Sequence, residues 1–224
     1  MSVRSLLIAG VILLRTVVHA DEVWTFDRLD SLGGHPVTVL GHPTIIKTPS
    51  GFDAVEFNGV DDAMFVDVHP LAGAKTFTWE VIFRPDRGGS PEQRFFHLQE
   101  RDPTTGQDTQ TRLLFEIRIM DGSWYLDSFA YAGGASHALM NREKLHPLDA
   151  WYHVAMVYDG KEFRNYVNGQ LEGASALKLV PQGAGHSSAG VRINLRDYFK
   201  GAIRLARFTS RALEPADFQP HGAN

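Results

Sequence analysis

Trp151-Tyr-His-Val-Ala-Met-Val-Tyr-Asp-Gly-Lys-Glu-Phe-Arg-Asn-Tyr-Val-Asn-Gly-Gln170 is the stretch whose reading decides the fold. Tyr152, Val154, Met156 and Tyr158 alternate with Trp151, His153, Ala155 and Val157. Asp159-Gly160 then supplies a turn, and Phe163, Asn165 and Val167 restart a period of two that stops at Asn168-Gly169. Asp-Gly and Asn-Gly are the dipeptides that tolerate positive φ, so two reversals so close together predict three neighbouring antiparallel strands.

Trp151-x-His153-Val-Ala-x-x-Tyr158-Asp-Gly followed by Tyr166-Val-Asn-Gly169 resembles the signature hairpin of laminin-G-like domains, members of the concanavalin A-like lectin/glucanase superfamily. Upstream, Phe57-Asn-Gly-Val-Asp-Asp62 and Phe77-Thr-Trp-Glu-Val-Ile-Phe-Arg-Pro85 resemble that family's opening motif and the strand after it. Downstream, Phe199-Lys-Gly-Ala-Ile203 and Phe208-Thr-Ser-Arg-Ala-Leu213 resemble its closing strand and final turn. The resemblance runs from about Val23 to Phe218 and implies an all-β, two-sheet antiparallel jelly-roll sandwich. Lectins, adhesion modules, glycoside hydrolases and polysaccharide lyases share that fold, so it does not fix an activity.

The composition agrees. Among 224 residues there are 21 glycines, 11 prolines and 11% aromatic residues, which suits many short strands joined by turns. A formal charge of −4 without basic clusters offers no field for nucleic acid. Arg4, the apolar run Leu6–Leu14 and Val18-His19-Ala20 have the layout of a secretory signal peptide over residues 1–20. The run is well under the ~20 residues a membrane span needs. The mature chain, residues 21–224, is therefore expected to begin near Asp21 as a single secreted or periplasmic domain, monomeric and without a membrane span. The absence of cysteine removes disulfides and thiolate chemistry and points to a bacterial periplasm or exterior.

Alternation continues along the chain. Phe77, Trp79, Val81 and Phe83 share one face of a strand and Glu80 falls on the other. Leu113, Phe115, Ile117 and Ile119 likewise oppose Glu116 and Arg118. Glu100–Thr111 is expected as a long polar loop, Pro181–Gly190 as a Gly/Ser-rich loop, and Val191–Leu195 as a strand. With the large apolar sets turned inward, one outer sheet face receives Glu80, His97 or its neighbour Gln99, Glu116, Arg118, His153, Arg164, Tyr166, Asn168, Arg192 and Asn194 as an unusually polar row. These are the candidate ligand-binding residues. Amides, arginines and an aromatic ring are what hydroxyl and uronate recognition requires.

Three chemistries can be weighed on these residues. Retaining glycosidases need two carboxylates about 5 Å apart. The Glu-x-Asp-x-Glu run of this superfamily's glucanases is missing, since Ile82 follows Glu80 and Arg118 follows Glu116. A polysaccharide lyase acting by β-elimination on a uronate glycan would need a base, for which His153 and Tyr166 qualify, and a carboxylate neutraliser such as Arg118. No Gly-x-Ser-x-Gly elbow supports a serine nucleophile.

Related domains often hold a structural Ca²⁺ near the closing strand, where the resemblance implies an Asp-Glu pair; here Arg204-Leu205 stands there. No cofactor is therefore expected. Asp27, Asp61 and Asp62 are the remaining oxygen donors, and Arg204 could instead pair with Asp27. The histidines have no zinc spacing. The sequence thus favours a lectin-like domain binding a glycan or another extracellular ligand, with the lyase or a non-catalytic adhesion module as alternatives.

Overall fold

A computed structural model describes residues 21–220. Its strands are β1 (Glu22–Thr25), β2 (Ser31–Leu32), β3 (His35–Leu40), β4 (Thr44–Lys47), β5 (Asp53–Asn58), β6 (Ala63–Val66), β7 (Phe77–Pro85) and β8 (Glu92–Arg101). These are followed by β9 (Asp108–Met120), β10 (Ser123–Ala132), β11 (Ala135–Met140), β12 (His146–Pro147), β13 (Tyr152–Tyr158), β14 (Glu162–Val167), β15 (Gln170–Ala176), β16 (Gly185–Ala189) and β17 (Lys200–Thr209). A 3₁₀ turn at Pro215–Asp217 follows, within the Leu213–Phe218 segment.

Two antiparallel sheets result. The first runs β15-β14-β13-β7-β17-β5-β4, with β1 also on β17; the second runs β11-β10-β9-β8-β16-β6-β3-β2, with β12 on β10. The hairpin that dominates the sequence is β13–β14–β15. Asn168 and Gly169 both adopt positive φ, 49° and 74°, as a tight primed turn demands. The Asp159 carboxylate accepts the amides of Lys161 and Glu162 to fix the other reversal. The first strand, Glu22–Thr25, lies along β17 as the closing pair of the sandwich.

The inward sets meet between the sheets. Trp79, Val81 and Phe83 of β7 and Val154 and Met156 of β13 face Phe95, Phe96, Phe115 and Trp124. Phe83 stacks on Phe95 with centroids 4.3 Å apart, and Trp79 meets Phe115 at 4.5 Å. Each fully buried large side chain stabilises by roughly 2–3 kcal/mol. One polar link crosses this core: Asn165 on β14 donates to Ser128 Oγ and to the Leu139 carbonyl.

Where strict alternation fails, the ladder shows why. The β8–β9 register shifts between Arg94 and Phe96, so Phe95 is an extra residue and both phenylalanines enter the core. The bulge resets the phase, and Arg94 and His97, three residues apart, both turn outward. Residues 100–111 are not one loop: β8 continues to Arg101, β9 resumes at Asp108, and the Asp102 carboxylate accepts the amides of Thr104 and Thr105 in the turn between. The strand expected at 191–195 lies earlier, at Gly185–Ala189, within the expected loop. Residues 192–196 form a tight turn closed by Leu195 N–H donating to the Arg192 carbonyl, 2.8 Å. Among the described residues no helix is long and apolar enough to cross a membrane.

Candidate functional site

The outer face of the second sheet carries a row of charge set by register. Asp127 of β10 stands opposite Glu116 of β9, which stands opposite Arg94 of β8. One pleat further along, Arg118 faces Glu92. Arg118 Nε donates to Asp127 at 2.9 Å and its two terminal nitrogens reach Glu92, at 2.6 Å, and Glu116, at 3.4 Å. Arg94 pairs with Glu92, with Glu116 and, from the loop before β17, with Asp197. Arg94, Glu116, Arg118 and Asp127, with Arg112, Leu114, Phe129, Ala138, Met140 and Arg192, line a cleft of about 160 Å³. Phe129 and Tyr131 are half-buried, and the Arg112 guanidinium lies over both rings, 4.7 and 5.7 Å from their centroids.

Burial governs the titration of these groups. Glu116 is 5% exposed, and burial followed by the like charge of Asp127 pushes its carboxyl up to about 7. Burial also raises Asp127, against the pull of Arg118. His97 is held well below the ordinary histidine range by burial and then by Arg192 and Arg112. The ring is thus neutral, and because Nδ1 accepts the Ile193 amide at 3.1 Å, its proton is assigned to Nε2. Four buried polar atoms on this face have no hydrogen-bond partner among the described residues: Asp127 Oδ1, His97 Nε2, Arg94 Nε and Arg112 Nε. Such atoms are uncommon in a settled fold, and each calls for a water, an ion or a ligand to satisfy it.

A laminin-G-like family model of the concanavalin A-like lectin/glucanases superfamily matches residues 58–219. The chain belongs to that superfamily. No curated protein matches it in sequence. Among solved structures it is similar to domain 4 of AbnA, a GH43 extracellular arabinanase from Geobacillus stearothermophilus solved with arabinotriose, at 19% identity and TM-score 0.62, covering 87% of this chain and 94% of that one. It is also similar to the Trypanosoma rangeli sialidase in complex with sialic acid, at 15% identity and TM-score 0.61 over 90% of this chain and 32% of the sialidase. The binding domain of botulinum neurotoxin serotype D matches at 11% identity and TM-score 0.60, over 87% of this chain and 48% of that one. At these identities the likeness is one of fold.

This superfamily sandwich has a second outer face, and half of the sequence-predicted site lies there under cover. Glu80 and His153, on adjacent strands of the first sheet, are 0% and 1% exposed. His153 Nε2 meets Glu80 Oε1 at 2.9 Å, Arg207 pairs with the other oxygen, and the Gln219 amide donates to Oε1 at 2.6 Å. Burial alone would raise Glu80, but the hydrogen bonds from His153 and Arg207 outweigh it and hold the carboxyl below its usual range. Phe218 closes the cluster, packing on the His153 and Tyr166 rings. The facing of the hairpin is therefore as the alternation predicts, yet the C-terminal segment takes the place of solvent.

The predicted polar row accordingly divides. Glu80, His153, Arg164, Tyr166 and Asn168 belong to the first sheet; His97, Glu116 and Arg118 belong to the second, with Arg192 beside them. Arg164 pairs with Asp159 and Glu162. Asn168 is a turn residue whose side chain accepts the His153 amide, and Asn194 is exposed at the tip of the 192–196 turn. The lyase constellation does not assemble, because His153 and Tyr166 lie on the opposite outer face from Arg118. Sequence reasoning missed Arg94, Arg112, Asp127, Phe129 and Tyr131. Alternation within Trp124–Tyr131 carried the signal for the last three, since Trp124 and Leu126 point inward.

The oxygen donors considered for a metal are engaged locally. Asp27 pairs with Arg28, while Arg204 lies over the Phe52 ring at 3.7 Å. Asp62 accepts the amides of His42 and Asn58, and Asp61 accepts Asn58 Nδ2. Among the described residues no three His, Asp or Glu side chains converge as metal ligands.

Proposed function

We propose that the protein is an exported, lectin-like module that binds a carbohydrate in the cleft on the outer face of its second sheet. One observation carries the reading: a half-buried aromatic ring, Phe129, lines a cleft together with Arg94 and Arg112, whose buried Nε–H groups have no partner among the described residues, and Tyr131 stands beside it under the Arg112 guanidinium. A sugar offers what this lining lacks, namely hydroxyl oxygens for the donors and an apolar ring face for the aromatics. The arabinotriose and sialic acid bound to two of the similar structures support the same reading. Binding without catalysis fits the carboxyl groups, since Glu116 and Asp127 are almost wholly buried and tied into ion pairs with Arg94 and Arg118.

Affinity electrophoresis against neutral and acidic polysaccharides tests the proposal. Retardation by at least one of them is expected, and Phe129→Ala should weaken it about tenfold, the equivalent of ~1.4 kcal/mol. Unchanged retardation in both Phe129→Ala and Tyr131→Ala would remove this cleft as the site.

A further inference from the structure

The arginines of the cleft are not equivalent. Arg94 and Arg118 are each tied to several carboxylates. Arg112 is not: it donates to the Gln110 carbonyl and lies over Phe129 and Tyr131, and no carboxylate within ion-pair distance is found for it among the described residues. Arg192, presented by the turn after β16, likewise has no ion-pair partner among them. Two like charges thus line one small cleft. Their proximity depresses Arg112 below its ordinary range, after burial, and both guanidiniums act on the buried His97 of β8, the strand flanked in the sheet by β9 and β16.

His97 is not among the residues that line the cleft. Its Nδ1 is occupied by the Ile193 amide, which leaves Nε2–H, 98% buried with its ring, without an acceptor. Glu116 offsets only part of this positive pair at neutral pH, because it already pairs with Arg94 and its burial holds the carboxyl up to about 7. An acceptor carrying negative charge would satisfy the two guanidiniums together.

We propose that Arg112 and Arg192 form the seat for an anionic substituent, carboxylate or sulfate ester, on the sugar held in this cleft. The inference rests on the carbohydrate-binding reading and narrows it to acidic glycans. It is tested on the whole mature chain by affinity electrophoresis with four probes: polygalacturonate, its carboxyl-reduced neutral form, dextran sulfate and dextran. A neutral arabinan serves as a reference for binding that needs no charge.

Polygalacturonate should be held at least tenfold more tightly than its reduced form, and Arg192→Gln should abolish that preference while melting like the wild type. Arg112→Gln gives the second reading of the same seat, with thermal melting as the check on folding. Preference for dextran sulfate over dextran, lost in the same variants, would identify sulfate as the anion and also support the seat. Equal retention of charged and neutral forms, or a preference that survives both substitutions, would overturn the inference and leave carbohydrate binding intact. Retention by arabinan alone has the same meaning. Retention by none of the polysaccharides would overturn both readings.

Discussion

Replacing Glu116 by glutamine should stabilise the protein at alkaline pH and leave it unchanged at acid pH. In the folded chain burial and the neighbouring Asp127 hold the Glu116 proton to about 7, against a usual 4.5 once unfolded. Between those values the folded state binds the proton that the unfolded state has released, so stability falls as pH rises through that window and levels off above it. The full difference corresponds to about 3 kcal/mol. Glu116→Gln removes the ionisation while keeping the shape. Urea denaturation at pH 5 should find variant and wild type within about 1 kcal/mol, and at pH 8.5 the variant should be more stable by up to about 3 kcal/mol. A variant that is less stable at pH 8.5, or displaced equally at both values, would refute the assignment of a reluctantly ionised carboxyl, because it would mean that the Arg94 and Arg118 pairs outweigh the burial of Glu116.

On the opposite face, Arg207→Met should cost about 3–5 kcal/mol by strand-buried Glu80 losing its guanidinium, yet leave glycan retention unaltered; weakened retention at preserved fold would place the ligand under the C-terminal segment instead. Glu80 itself, held below its usual range by His153 and Arg207, should contribute stability that is present above the ordinary carboxylate pKa and lost only as pH falls through its lowered one. Melting temperature should be the same in EDTA and in millimolar Ca²⁺, since both Asp62 oxygens already accept backbone amides; a calcium-dependent rise of several degrees would refute this and make Asp61 and Asp62 the first residues to mutate. Sequencing the N-terminus of chain exported by a bacterial host should read from Asp21, and a mature chain still carrying Met1 would remove the signal-peptide reading.

Alternation along single strands was enough to place side chains in or out. It turned Trp79 and Val154 inward and Glu80, Glu116 and His153 outward, and the sandwich places all five so. It failed at Phe95-Phe96, where an inserted residue breaks the period, and at 185–195, where serine and glycine form a strand because neighbours β6 and β8 provide the ladder on both sides. Nor can a period of two say which sheet a strand joins. β7 sits between β13 and β17, and β8 between β9 and β16, through crossovers that leave no mark in the local pattern. Outward residues from both sheets therefore looked like one polar row.

Outward also does not mean solvent-exposed, and here the decisive fact lies in a segment with little pattern of its own. Arg211 to Gln219 returns over the first sheet, where Thr78 Oγ1 donates to the Arg211 carbonyl and accepts the Leu213 amide, and Phe218 covers His153. Glu80 and His153, outward candidates for a binding site in the sequence, thereby become with Arg207 the polar anchor of a packed segment. Among the described residues no such segment covers Glu116, Arg112 and Phe129 on the second sheet, although its polar lining is no richer. Exposure of the charged face, more than the residue types it contains, is what separates the binding cleft from the structural cluster in this sandwich.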